Sequence, residues 1–206
     1  MTTIVAVRHG ETTWNRKQLL QGWSPARLTD LGREQADKLG ATLAERYEID
    51  RIRSSDLHRT EETVAILQEH VDAPVTYDSA WRERDVGVFQ GLPIDEMFER
   101  FPAYELGEAG SDAAHRRPDS GESLAAVRDR VVDRWETTLA ESDPSETVLI
   151  ATHGGPIRLL LGHLKGLGIV ETILDQSQGN CAITEFAVDH ETDAVRIVRE
   201  NDTSHY

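Results

Sequence analysis

The sequence predicts an α/β fold, a three-layer α/β/α sandwich with a mostly parallel central sheet and a small inserted lid segment. Residues 4–7 and 148–152 are apolar runs without a helical period and rich in β-branched side chains, as is typical of strands buried on both faces. Strand-like and helical segments alternate after the first run, and a β-α-β-α-β order favours parallel strands. Both runs lead into a His-Gly pair, at the sheet edge where open α/β folds bind ligands.

The first part of the chain supplies two helices between three short strands. Thr29 or Asp30 is a suitable N-cap for a helix whose apolar residues recur at helical spacing up to residue 47. Residues 54–56, Ser-Ser-Asp, would cap the next helix. The predicted strands are 4–7, 50–54 and 74–77, the helices are 33–47 and 57–70, and 13–24 is a loop or short helix.

The second part of the chain completes one domain, residues 1–206. Residues 102–120 are rich in glycine, proline, alanine and charge and show no clear period, so the lid insertion is placed at about 92–121. The remaining predicted elements are helices 94–101, 124–139 and 156–163, strand 147–151, and a closing hairpin of strands 180–188 and 194–199.

Composition excludes several classes of partner. The net charge of −15 argues against a nucleic-acid ligand and against an anionic membrane surface. No apolar run approaches the ~20 residues of a spanning helix, and Met1 leads directly into the first strand, so we expect no signal peptide. A single cysteine, Cys181, fits a reducing cytosol. The expected location is therefore cytoplasmic; the oligomeric state stays open.

The charged residues have an unusual composition. There are 37 acidic residues, and only 3 of the 22 basic residues are lysine. A soluble acidic protein accounts for this pattern, but dense surface carboxylates also suit a high-salt cytosol, where salt screens their mutual repulsion. We favour adaptation to high salt.

Four motifs occur in a fixed order. Arg8-His9-Gly10-Glu11-Thr12, with Asn15 behind it, is followed by SSDLHRT at 54–60, by WRERDVG at 81–87 and by Thr-His-Gly-Gly at 152–155. Together they resemble the histidine phosphatase superfamily, the phosphoglycerate-mutase-like group in its short-chain branch. The resemblance extends from Ile4 to about Val198.

These residues can supply each part of a phosphoryl transfer. His9 would be the nucleophile, since a neutral imidazole can attack phosphorus in line and form a phosphohistidine. Arg8 can place two N–H bonds on phosphate oxygens. Arg59, near a helix N-terminus, would join the same phosphate site, because the resemblance assigns the matching arginine to it.

Two further groups complete the expected chemistry. His153 would be a second phosphate contact, either protonated or donating an N–H, and Gly154 offers a backbone N–H at the start of a helix. The resemblance of its segment to the family's acid-bearing segment makes Glu83 the general acid; a salt bridge with a neighbouring arginine is the alternative.

Other assignments depend more heavily on the resemblance. Thr12, Asn15, Gln21 and Gly22 match positions on the substrate side. The pair Arg116 and Arg117 could hold a second acidic group of the substrate, or could be solvated loop charges. His58 and Cys181 are expected to have surface and packing roles. The sequence lacks metal-ligand spacing, a P-loop and a complete dinucleotide fingerprint, so neither metal nor cofactor is expected.

The predicted function is that of an enzyme acting on a small phosphorylated metabolite. A phosphomonoester phosphatase is favoured, because the stretch between Glu83 and Ser123 lacks the longer insert of cofactor-dependent mutases. A phosphoglycerate mutase is the alternative, towards which Gly22-Trp23 and the Arg116-Arg117 pair lean. A non-catalytic phospho-ligand binding module is a third hypothesis, against which the intact motif set counts.

Overall fold

The computed structural model describes residues 1–206, and its strands form one six-stranded sheet in the order β3-β2-β4-β1-β5-β6. The strands are β1 Thr2–Arg8, β2 Arg51–Ser54, β3 Val75–Tyr77, β4 Thr147–Thr152, β5 Ile183–Asp189 and β6 Ala194–Asp202. The helices are α1 Thr13–Arg16, α2 Asp30–Arg46, α3 His58–Leu67, α4 Ile94–Arg100, α5 Leu106–His115, α6 Leu124–Ala140, α7 Gly154–Leu164 and α8 Ile169–Asp175.

The two central strands, β1 and β4, are parallel neighbours, with Ile4 opposite Val148 and Arg8 opposite Thr152. On the other side of β4, β2 and then β3 continue the parallel part of the sheet. The hairpin of β5 and β6 pairs antiparallel to β1. This topology confirms the predicted α/β class.

The central strands β1 and β4 are buried on both faces of the sheet. Ile4 and Ala6 point into one core cluster, with Val131 and Trp135 of α6. Val5 and Val7 alternate to the opposite face, where a second cluster holds the buried side chains of α2 and α3. Alternation of this kind between two helical layers is the three-layer arrangement that the uninterrupted apolar runs predict.

Two helices were not predicted. The expected irregular stretch 102–120 contains α5, whose period is interrupted because Gly110 has φ +56° and ψ −133° inside it. Helix α8 is only 7 residues long, too short to show a period of its own. Both helices pack against the core through Leu106, Ala113, Ala114 and Ile169.

No helix combines the length and the apolar character that crossing a membrane requires.

Candidate active site

His9 and His153 lie side by side at the carboxyl ends of β1 and β4. Their ring centroids are 5.2 Å apart, with the ring planes tilted by 58°. Both side chains are buried, at 3% and 0% exposure. The strand directions alone predict this juxtaposition, because adjacent parallel strands end at one edge of the sheet.

Arg59 lies between the two histidines. Its Nε atom lies 3.2 Å from His9 Nε2 and 3.2 Å from His153 Nδ1, so a single N–H group donates to both rings. Its Nη2 donates to the carbonyl of Gly22 at 2.9 Å. The guanidinium is only 1% exposed, and these bonds hold it in one orientation.

The bonds of His9 define its tautomer. Nδ1 lies 2.8 Å from the carbonyl oxygen of Gly10, so it must carry the hydrogen and donate. Nε2 then carries no hydrogen, and its lone pair accepts a hydrogen bond from Arg59. Burial, followed by the charges of Arg59 and Arg8, lowers the pKa of His9 well below its usual value. The ring is therefore neutral at physiological pH, with no hydrogen on Nε2.

Gly10 and Gly32 bring two backbone segments together behind His9. A Cβ on Gly10 would lie 2.3 Å from the carbonyl oxygen of Gly32, which belongs to α2. No side chain larger than hydrogen fits that gap. This close approach fixes the carbonyl of Gly10, the group that orients the His9 ring.

His153 is a neutral ring whose two nitrogens both have protein partners. Nδ1 accepts from Arg59, so Nε2 carries the hydrogen, which faces the hydroxyls of Ser55 at 2.8 Å and Thr60 at 3.2 Å. Burial and the neighbouring Arg59 lower its pKa well below the usual value. The protonated form allowed for in the sequence analysis does not fit this environment.

Arg8 extends from the end of β1 into the same site. Its Nη1 donates to the carbonyl of Gln178 at 2.7 Å, while its buried Nε has no partner. Its pKa is lowered by burial. An unpaired buried donor is costly, so an anionic ligand would stabilise this side chain.

Glu83 is held by two backbone N–H groups. Its Oε2 accepts from Gly155 at 3.1 Å, in the first turn of α7, and its Oε1 accepts from Arg84 at 2.9 Å. A Cβ on Gly155 would lie 2.1 Å from Oε1. The second glycine of the Thr-His-Gly-Gly motif therefore makes room for the carboxylate.

A cavity of about 510 Å³ opens from this cluster. Arg8, His9, Arg59 and Glu83 form its polar end. Of the expected substrate-side residues, Asn15, Gln21 and Gly22 line it. Sequence reasoning missed two basic residues of the lining, Arg84 and Arg158, because no motif marks them.

Several expected site residues do not line the cavity. Thr12 is fully buried and forms a capping box with Asn15 at the start of α1. His153 and Gly154 lie behind the lining, where a Cβ on Gly154 would be 3.5 Å from Arg8 Nε.

Arg116 and Arg117 also lie outside the cavity. The Arg116 guanidinium is 5.7 Å from the ring centroid of Tyr104. Arg117 Nε donates to the carbonyl of Gly121. Neither side chain is placed beside the catalytic candidates, so the expectation that this pair holds the substrate gains no support from their position.

The side chains that commonly bind metal ions are not clustered in this structure. No group of three or more His, Cys, Asp or Glu side chains is arranged to hold a metal ion. The positive charge at the polar end of the cavity comes from arginine.

Comparison with known families agrees with this geometry. A sequence model of the histidine phosphatase superfamily, branch 1, matches residues 4–203. The chain belongs to this superfamily. The match spans all four motifs and the closing hairpin, so the resemblance identified from the motifs is confirmed.

Individual relatives cover almost the whole chain. A 2,3-bisphosphoglycerate-dependent phosphoglycerate mutase of Cytophaga hutchinsonii is 31% identical over 212 aligned residues, covering 98% of this chain and 96% of the relative. The structure of YhfR from Bacillus stearothermophilus superposes with a TM-score of 0.88 at 28% identity, covering 100% and 99% of the two chains. A mycobacterial glucosyl-3-phosphoglycerate phosphatase in complex with VO3 superposes with a TM-score of 0.83 at 28% identity, covering 97% and 98%.

The buried neutral histidines predict a loss of stability in mild acid. Their pKa values are depressed in the folded state, so below about pH 6.5 the unfolded chain binds more protons and the free energy of unfolding falls as pH falls. Each histidine contributes a slope of up to about 1.4 kcal/mol per pH unit. His153→Asn keeps a hydrogen-bond acceptor for Arg59 but removes one titrating imidazole. The free energy of unfolding of this variant should therefore depend less steeply on pH than that of the wild type.

Urea unfolding between about pH 7.5 and about pH 5.5 measures this slope. His163→Asn, at an exposed position of α7, is the matched control and should keep the wild-type slope. Equal slopes for His153→Asn and wild type would contradict the assignment.

Proposed function

We propose that the protein is a phosphomonoesterase that hydrolyses a small phosphorylated metabolite through a phosphohistidine at His9. The observation that carries this proposal is the fixed tautomer of His9. Its Nδ1 donates to the Gly10 carbonyl, which leaves the lone pair of Nε2 beside the buried Arg59, with the charge of the half-buried Arg8 also acting on the ring. A neutral nucleophile next to fixed positive charge suits attack on a phosphate dianion.

In the first step, the Nε2 lone pair of His9 attacks phosphorus and the ester P–O bond breaks. Glu83, the acidic side chain at the polar end of the cavity, takes up a proton when the phosphate dianion binds beside it, and it delivers that proton to the departing alkoxide. Arg8 and Arg59 stabilise the negative charge on the non-bridging oxygens. His153 acts through Arg59, as the partner that shares its Nε–H.

In the second step, water replaces the alcohol. Glu83, now a carboxylate, takes a proton from that water, whose oxygen attacks phosphorus while the P–N bond breaks. Inorganic phosphate leaves, and His9 and Glu83 return to their starting protonation states. The reaction consumes only the phosphate ester and water, and no atom changes its oxidation state.

A phosphoglycerate mutase is the second candidate. The Cytophaga relative carries that name at 31% identity, and a mutase shares the first step. Hydrolysis is favoured because the stretch between Glu83 and Ser123 lacks the longer insert of cofactor-dependent mutases, and because most of the cavity lining beyond the phosphate end is apolar. The segment at about 92–121, our proposed lid, supplies much of that wall and would control the access of water.

A substrate panel separates the two functions. We expect inorganic phosphate to be released from several phosphomonoesters, and 3-phosphoglycerate to be isomerised slowly or not at all. Both reactions would be followed with the same enzyme preparation, with and without 2,3-bisphosphoglycerate. Isomerisation that outpaces phosphate release would favour the mutase, and inactivity on every ester would overturn the proposed function.

Trapping of the intermediate tests the nucleophile. Turnover quenched in base should leave phosphate on His9, in a bond that is stable to base and labile to acid. His9→Ala should remove both the label and the activity. Peptide mapping locates the phosphate, and a label on another residue, or an active His9→Ala enzyme, would refute the mechanism.

Glu83→Gln tests the general acid through the leaving group. An alkyl phosphate leaves as an alkoxide that needs a proton, whereas a nitrophenyl ester leaves as a stable anion that hardly does. The variant should slow phosphoenzyme formation from alkyl phosphates by about 10²-fold and affect the nitrophenyl ester far less. Glu99→Gln, at an exposed position of α4, should leave both rates unchanged; equal losses on the two esters for Glu83→Gln would place the acid elsewhere.

Composition supports two further proposals. We place the enzyme in the cytoplasm, because a single cysteine fits a reducing compartment. We infer adaptation to high salt from the net charge of −15. Screening should reduce repulsion between carboxylates, so the free energy of unfolding should rise from low salt to about molar KCl. Urea unfolding at both concentrations measures it, and unchanged or lower stability would contradict the adaptation.

A further inference from the structure

The wall of the cavity beyond the phosphate end is mostly apolar, and its charged members are Arg84, Glu105 and Arg158. Its lining includes Leu20, Val86, Phe89, Met97, Phe98 and Ile173, which come from α4, α8 and the loops that follow α1 and precede α4. Its volume, about 510 Å³, lies within the range that holds drug-sized ligands. A phosphate group occupies only the polar end of such a space.

Two large apolar side chains on this lining are left exposed to solvent. Ile94 of α4 is 38% exposed and Leu174 of α8 is 57% exposed. Apolar groups that line a cavity continuous with the catalytic residues gain stability when a ligand removes them from water. Their position favours a ligand that reaches from His9 to the mouth of the cavity.

The remaining basic residues of the wall are already engaged by the protein. Arg84 donates from Nε to the carbonyl of Glu122 at 2.8 Å. Arg158 donates to the carbonyls of Gly154 and Ile173, each at 3.3 Å. These bonds fix the orientation of both guanidinium groups but use only part of their five N–H donors each, so the apolar residues, which are more numerous, set the character of the wall.

We propose that the substrate is a monophosphate ester of an apolar alcohol, whose hydrocarbon part fills this wall and contacts Ile94 and Leu174. The inference rests on the proposed phosphatase function and specifies its substrate class. The phosphate lies at Arg8 and Arg59, and the alcohol oxygen lies towards Glu83. Specificity then comes from burial of the hydrocarbon part rather than from polar contacts.

Primary alkyl phosphates test this directly, because their leaving alkoxides are chemically alike and only the buried area changes. From ethyl to hexyl phosphate, kcat/KM should rise by up to about fourfold for each added methylene, the ratio that full burial of about 0.8 kcal/mol per methylene gives. 3-Phosphoglycerate should be a poorer substrate than hexyl phosphate.

Variants at the mouth assign the effect to the cavity. Ile94→Asn and Leu174→Asn should each lower kcat/KM for hexyl phosphate by about fivefold to tenfold, a larger loss than for ethyl phosphate, so the dependence on chain length becomes shallower. Leu31→Asn is the matched control, because Leu31 is 50% exposed and lies on α2, outside the cavity lining. It should leave the whole series unchanged.

The outcomes separate the two proposals. Release of phosphate at the same kcat/KM from ethyl and hexyl esters would overturn the apolar-alcohol inference and leave the phosphatase proposal standing. A chain-length dependence that both mouth variants retain would also overturn the inference. The absence of phosphate release from every ester, including the nitrophenyl ester, would overturn the proposed function itself.

Discussion

One N–H group of Arg59 organises the active site. It points at two imidazole rings at once, so each ring must present a lone pair to it, Nε2 of His9 and Nδ1 of His153. The opposite nitrogens must then carry the hydrogens, and each faces an acceptor on the protein. His9, our proposed nucleophile, is therefore oriented by a buried cation and a backbone carbonyl, and not by an acidic partner.

This arrangement leaves positive charge buried without a direct ion pair. Burial lowers the pKa of Arg59 to about 10, so the guanidinium stays charged at neutral pH. Glu83 provides the main opposing attraction for both Arg59 and Arg8. Because an uncompensated buried charge is costly, binding of a phosphate dianion would relieve the cost at the position where the reaction needs it.

Sequence reasoning succeeds where backbone geometry decides the outcome. Two buried parallel strands that end in His-Gly must bring their histidines to one edge, and the structure places His9 and His153 there. Sequence reasoning fails where the position of a residue depends on packing between segments that lie far apart in the sequence. Arg84 and Arg158 reach the cavity through the positions of a loop and of α7. Part of the apolar wall comes from Leu106 of α5 and from α8, and the short or interrupted periods of these two helices give no signal.

Some motif residues support the site without touching the cavity. Thr12 closes the capping box of α1, and Gly10 permits contact with the Gly32 carbonyl. A motif indicates that a position requires a particular residue type. It does not indicate whether that residue contacts the substrate or is required for close packing. Only the environment of each residue separates those two needs.

The tautomer of His9 is the central claim, and imidazole ¹⁵N NMR measures it directly. The His9 signals would be assigned by their loss in His9→Asn and followed from about pH 8 to about pH 6, the range in which an ordinary histidine titrates. We predict a neutral ring throughout, with hydrogen on Nδ1 and none on Nε2. An imidazolium at neutral pH, or a neutral ring with its hydrogen on Nε2, would contradict the account.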